Sequence, residues 1–180
     1  NDPMIVCLGW GSLIWDPRKL PVEGEWQEDG PPLPIEFVRQ SNNGRLTLVV
    51  DPESRPVPVL WAELAVTDLS NAAEQLRVRE GPTSITNIGC WPNGVSFDFA
   101  NDIGTWAQSK GIAGVVWTAL GPQFSGDRGR RPKQDEAIEY LRGLTGDTLA
   151  LAREYVEKAP KQIDTDYRRA FAAALDWASA

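Results

Sequence analysis

From Ala137 onward every apolar stripe of this chain has helical spacing, whereas extended apolar runs dominate the residues before it. Ala137, Ile138, Leu141 and Leu144 form one stripe, Ala152, Tyr155, Val156 and Ala159 a second, and Tyr167, Ala170, Phe171, Ala174, Leu175 and Ala178 a third. Strands first and helices last is the order of an α+β fold. A chain of 180 residues buries roughly 70% of its unfolded surface, so one domain over 4–180 with an ordinary core is expected. Met4 stands behind Asn1, Asp2 and Pro3, and those three residues are read as an appended remnant before a native start at Met4.

Met4 to Leu8 is a short apolar run that enters Gly9-Trp10-Gly11-Ser12, a buried strand running into a glycine turn. Pro17 to Pro34, rich in proline, glycine and acids, reads as a long surface loop. Ile35 to Gln40 and Leu46 to Val50 flank Asn43-Gly44, a hairpin signal. Val57 to Val66 reads as one strand apolar on both faces, which fits a sheet covered on both sides or a closed barrel. Asp68 to Glu80 switches to helical spacing, with Thr67 or Asp68 to cap its start and Gly81 to close its end. Ser84 to Cys90 reads as a strand, Phe97 to Lys110 as a helix, Ile112 to Leu120 as a buried strand, and Gly121 to Pro132 as a loop.

Composition removes several function classes. The chain has no histidine, which excludes Ser-His-Asp and Cys-His catalysis and imidazole metal sites. A net charge of −7 argues against a nucleic-acid surface. No apolar run approaches the roughly 20 residues that span a bilayer, and no signal peptide is visible at the start. Two cysteines, Cys7 and Cys90, make no disulfide framework and fit a reducing, cytoplasmic compartment. No residues have metal-ligand spacing, and neither a metal nor a cofactor is expected.

Two places invite chemistry. Gly9-Trp10-Gly11-Ser12-Leu13 can turn sharply and gather backbone N–H groups toward a carboxylate or an oxyanion, or it is a tight turn with Ser12 as a helix cap. A dinucleotide fingerprint fails, because Ile14 stands where the third glycine belongs. Glu80 falls in the last turn of its helix, where carbonyl ends disfavour negative charge and push its pKa upward, with Arg77 and Arg79 opposing if near; otherwise it is an exposed glutamate. Glu63, on the strand face of Val59 and Trp61, is a weaker second carboxylate. Arg128, Arg130, Arg131 and Lys133 could bind an anion, or balance Asp135, Glu136 and Glu139 in a solvated loop. Trp10 and Trp15 could wall a pocket or pack the core, and Cys7 reads as a buried, inert thiol.

Leu8-Gly9-Trp10-Gly11-Ser12-Leu13-Ile14-Trp15 resembles the opening of the gamma-glutamylcyclotransferase superfamily (AIG2/ChaC-like), most closely its glutathione-degrading ChaC-type branch. Gly44-Arg45 with Thr47-Leu48-Val49, then Trp61, then Arg79-Glu80-Gly81 follow in the family's order, so the resemblance runs from about Ile5 to Gly81. It implies a small mixed β-barrel with surrounding and C-terminal helices. It implies a lyase or transferase that binds a small gamma-glutamyl substrate through Gly9, Trp10, Gly11, Ser12 and Leu13. Glu80 would be the general base, and the product 5-oxoproline. Trp10 stands where the family's turn usually has tyrosine, and no tyrosine follows Glu80 within Gly81 to Asn87. A non-catalytic member of the same fold that binds a ligand or partner is therefore the alternative.

Overall fold

The computed structural model of the chain describes residues 3–92 and 99–177. Asn1, Asp2, Phe97 and Ala178, which entered the sequence reading above, lie outside the described residues. The chain is α+β and forms two compact units.

The first unit comprises Asn1–Gly9, Asp16–Pro32 and Pro58–Leu120. Its strands are β1 (Ile5–Gly9), β2 (Val22–Gln27), β6 (Leu60–Leu64), β7 (Ile88–Trp91) and β8 (Gly114–Thr118), in the order β2-β6-β1-β8-β7. The central strand β1 is buried at every position. It runs antiparallel to β6 and parallel to β8, so this curled, half-barrel sheet is mixed.

Among the described residues two α-helices belong to this unit: α2 (Leu69–Glu80) and α3 (Ala100–Ser109). The local chemistry that starts and stops α2 is complete. The Asp68 carboxylate accepts from the Asn71 N–H at 2.7 Å, and Gly81 leaves the helix at φ 92°, a conformation that suits glycine. Ala72, Ala73 and Leu76 turn inward. Leu69 lies against Gly114, where an added Cβ would stand 3.1 Å from the leucine methyl. Side chains alternate along a strand, so α2 lies over the face of β8 that carries Gly114, Val116 and Thr118. Cys7 pairs with Val116 in parallel register and shares that face. The opposite face is packed by α3, whose Trp106 meets Trp61 edge to face at 5.7 Å.

The second unit comprises Trp10–Trp15, Leu33–Val57 and Gly121–Ala180. It holds β3 (Pro32–Gln40) and β4 (Leu46–Val50), the hairpin expected at Asn43-Gly44, and β5 (Pro56–Pro58), which also pairs with β3. It also holds a single helical turn, α1 (Ser12–Trp15), and the three C-terminal helices α4 (Gln134–Arg142), α5 (Gly146–Lys158) and α6 (Asp166–Leu175). Each expected stripe turns its apolar side inward: Ala137 and Leu141, Ala152, Tyr155 and Val156, and Tyr167 and Phe171 are buried.

Four expectations are corrected. Pro17 to Pro34 is not one loop: it holds the edge strand β2, whose side chains are mostly exposed and which is held by backbone pairing to β6. Val57 to Val66 is two strands in two sheets, β5 on β3 and β6 on β1. Pro58 has no N–H to continue a ladder, and the Val59 N–H turns to the Pro31 carbonyl instead. Ser84 to Cys90 opens as a 3-10 turn, Ile85–Asn87, before β7. Gly121 to Pro132 carries a two-residue hairpin, β9 (Gln123–Phe124) with β10 (Asp127–Arg128).

Candidate functional site

Glu80 closes α2 and is not the exposed glutamate that a helix end ordinarily carries: its side chain is 18% exposed, and that of Arg79 beside it 6%. Burial pushes the Glu80 carboxyl above its usual range. The Arg79 cation, a hydrogen bond from Thr118 and the charge of Arg18 pull it back without cancelling the burial. The direction expected from the helix terminus is met, and the leading cause is desolvation. Arg77 takes no part, since its guanidinium grips Glu74 one turn earlier at 2.9 and 2.5 Å.

Arg79 is fixed by more than its acidic neighbour. Nε and Nη2 donate to the Asp16 carbonyl at 3.1 and 2.8 Å, while Nη1 lies 3.4 Å from Glu80 Oε1. Arg18 donates from Nη1 to the Arg79 carbonyl at 3.1 Å, so an orphan carbonyl of the last helical turn finds a donor. Arg18 does this from a left-handed backbone, φ 52°, which is uncommon away from glycine.

Thr118 was invisible to the sequence reading. It is the last residue of β8, on the face that α2 covers. Gly9 stands two residues beyond Cys7 on β1, as Thr118 stands two beyond Val116 on β8. The two parallel strands therefore end at the same edge of the sheet, and the Thr118 side chain there lowers the pKa of the Glu80 carboxyl against the effect of burial. Cys7 lies within reach of the charges of both Glu80 and Arg79; burial, then Glu80, raise its thiol pKa, which leaves it the inert thiol expected.

Of the turn residues, Gly9 belongs to the first unit with Glu80, and Trp10, Gly11, Ser12 and Leu13 belong to the second. Gly9 is a paired strand residue opposite Leu60. Neither Gly9 nor Gly11 has a left-handed φ. The reason for glycine at 11 is a close approach: a Cβ there would stand 2.3 Å from the Tyr155 hydroxyl. That hydroxyl accepts from the Leu48 N–H at 3.0 Å, and the Tyr155 ring meets Trp15 edge to face at 5.5 Å, with the Arg45 guanidinium over it at 5.1 Å. Trp10 is buried, and its indole N–H donates to the Leu48 carbonyl at 3.1 Å. Between pocket wall and core, Trp10 is core. Tyr155 entered the sequence reading only as part of a helical stripe.

The remaining candidates are structural. Glu63 is exposed on β6, opposite Glu23 of β2, so the face it shares with Trp61 does not oblige it to find a partner. Arg131 is spent on Asp51 at 2.6 Å and on the Tyr167 hydroxyl at 2.8 Å, and Arg130 on Glu136. Among the described residues no group of three or more acidic or cysteine side chains could hold a metal ion. No helix among them is long and apolar enough to cross a membrane.

Neither a protein-family model nor a curated protein matches the chain. A solved structure does: a yeast gamma-glutamyl cyclotransferase specific to glutathione is similar at 14% identity, over 96% of this chain and 98% of that one, with a TM-score of 0.47.

Proposed function

We propose that the protein cyclises a gamma-glutamyl amine or peptide to 5-oxoproline, with Glu80 as general base and backbone N–H groups of Gly9, Trp10, Gly11, Ser12 and Leu13 as the grip on the gamma-glutamyl group. The reading rests on the residue pattern from Ile5 to Gly81. One observation carries it further: Glu80 is a largely buried carboxylate at the end of α2, raised above its usual range and still backed by a cation. A base works best when its pKa approaches the pH of operation.

The α-ammonium of a gamma-glutamyl group has an unperturbed pKa of about 8. Glu80 takes one of its protons, and the freed amine attacks the γ-carbonyl carbon of the same molecule. The new C–N bond closes a five-membered lactam, the attacking nitrogen gives up a second proton, the old γ-amide C–N bond breaks, and the two protons pass by way of Glu80 to the departing amine, which leaves as its ammonium form. Intramolecular attack needs little beyond positioning, deprotonation and charge stabilisation, so no metal or cofactor enters the scheme.

A panel of gamma-glutamyl amines and peptides, assayed for 5-oxoproline, tests the reaction. The Glu80→Gln variant is expected to lose about 10²- to 10⁴-fold in turnover while keeping its fold; full turnover in that variant removes Glu80 from the chemistry. The second reading, a binding protein without catalysis, is favoured by Gly11, whose open side is taken by Tyr155. It requires that no compound in the panel yield 5-oxoproline while at least one raises the melting temperature.

A further inference from the structure

We propose that Arg39, Gln123 and Arg128 form a binding site for a dianionic phosphate group on the sheet of the second unit. The site does not rest on the reaction proposed for Glu80. The register of the strands carries it. Gln123 of β9 stands opposite Arg128 of β10 on one side and opposite Arg39 of β3 on the other, and Arg39 in turn stands opposite Thr47 of β4. Residues directly opposite one another project from the same face, so the four side chains form one row across four strands. None of the four is buried, whereas Phe124, next to Gln123, is, so the row lies on the solvent side. The two arginines stand two strands apart, about 10 Å between backbones. Two long guanidinium side chains can close that span on one tetrahedral oxyanion, with the Gln123 amide as a donor between them.

Neither cation has an acidic partner. Arg39 donates from Nη1 to the Gly121 carbonyl at 3.0 Å, and among the described residues no carboxylate lies within ion-pair distance of Arg39 or Arg128. Asp127 stands opposite Phe124 and so projects from the other face. Burial, then the charge of Arg128, pushes the Arg39 guanidinium below its usual range, the direction that an uncompensated neighbouring cation gives. Acidic residues outnumber basic ones 25 to 18, so two cations left side by side break the local tendency to pair, and such a break is where function is sought. Arg130 and Arg131 of the same loop are, by contrast, spent on Glu136 and Asp51.

The row is also held in place. Ser125 and Gly126, at φ 53° and 80°, make the two-residue turn between β9 and β10, and the Ser125 N–H donates to Gln40 Oε1 at 2.9 Å, which ties the hairpin to β3. The Thr47 hydroxyl donates to the Arg39 carbonyl at 3.1 Å, so it braces the row from inside the sheet. Charge selects the ligand class: a phosphate monoester carries about −1.5 to −2 at neutral pH and matches two guanidinium groups, whereas a carboxylate is satisfied by one.

The test is an NMR titration of the full chain, at fixed ionic strength, with inorganic phosphate, glycerol 2-phosphate and succinate. Phosphate is expected to shift the backbone amides of Gln123 and Arg128 and the Nε–H of Arg39. Arg128→Gln, at an exposed position, is expected to weaken binding about ten-fold or more while the fold is kept. Arg39→Lys keeps the charge but loses the fork, and is expected to weaken it as well. Arg153→Gln removes an equal charge from α5 and is expected to leave the affinity within about two-fold. Tighter binding of glycerol 2-phosphate than of inorganic phosphate supports an ester as the ligand, and the reverse supports free phosphate. Succinate binding as tightly as phosphate overturns the proposal. So does an Arg128→Gln variant that binds like the wild type, an equal loss in Arg153→Gln, or the absence of any shift along the row.

Discussion

The Tyr155 hydroxyl occupies the space where a side chain on Gly11 would begin: a Cβ there would stand 2.3 Å from the oxygen and 3.1 Å from the ring carbon that bears it. The oxygen cannot simply step aside, because it also accepts the buried Leu48 N–H at 3.0 Å. Gly11→Ala is therefore expected to destabilise the protein by about 1–3 kcal/mol in urea unfolding, the usual cost of overpacking. Tyr155→Phe removes the clashing atom and leaves Leu48 without its acceptor, at about 1–2 kcal/mol. The double variant should be more stable than the sum of the single ones implies, and strict additivity would show that the contact is not the reason for glycine at this position.

The same contact marks the limit of what the sequence discloses. Asp68 and Gly81 bracket α2 because capping is chemistry between near neighbours, and Asn43-Gly44 announces its hairpin for the same reason. The turn at Gly9 is legible as a turn, yet the reason for Gly11 is a hydroxyl that meets Leu48 across 107 positions. The strand β2 escaped because it is an edge strand with exposed side chains, whose pairing with β6 leaves no apolar alternation to read. Val57 to Val66 misled because both of its halves are strands, and only the partners, β3 for one and β1 for the other, divide them. Glu80 could be singled out from a helix-end rule; Thr118 could not, since nothing in the residues around it refers to α2.

Glu80 makes the stability of the protein depend on pH in a definite sense. Its carboxyl is raised in the folded state, so the folded state holds the proton more tightly than the unfolded chain does. The stability this contributes is fully present below the unfolded glutamate value of about 4.3 and is lost as the pH rises through the folded value. Glu80→Gln, a stand-in for the protonated carboxyl, should match the wild type at low pH and exceed it at pH 7. A stability gain together with a loss of turnover is what a strained functional group gives; equal stability of the two proteins across the pH range would show that burial does not strain Glu80.

Arg131 is predicted to matter for folding alone. It holds Asp51, which is 1% exposed and also accepts from the Ser54 hydroxyl at 2.6 Å and the Glu53 N–H at 3.2 Å. Its second arm reaches the Tyr167 hydroxyl, which donates onward to the Pro132 carbonyl at 2.7 Å. Arg131→Ala leaves the Asp51 carboxylate buried without its cation and should cost about 3–5 kcal/mol. Arg128→Ala and Lys133→Ala, at exposed positions, should stay within about 0.5 kcal/mol of the wild type. A basic cluster that bound an anion would instead lose binding in all of these variants alike.

Arg79 combines both roles, and pH separates them. Arg79→Met removes two donors from the Asp16 carbonyl and the cation 3.4 Å from Glu80. At pH 7 the carboxylate is then buried without its cation, and a loss of about 3 kcal/mol is expected in urea unfolding. On acidification Glu80 takes up a proton and that part of the penalty vanishes, while the part due to Asp16 persists. The variant should therefore recover stability on acidification more than the wild type does, and its Glu80 carboxyl should titrate at higher pH. Arg79→Lys, which keeps the charge and cannot fork, should retain the titration and lose only the bonds to Asp16. If Arg79→Met and Arg79→Lys show the same pH dependence, the arginine serves the backbone alone and not the carboxylate beside it.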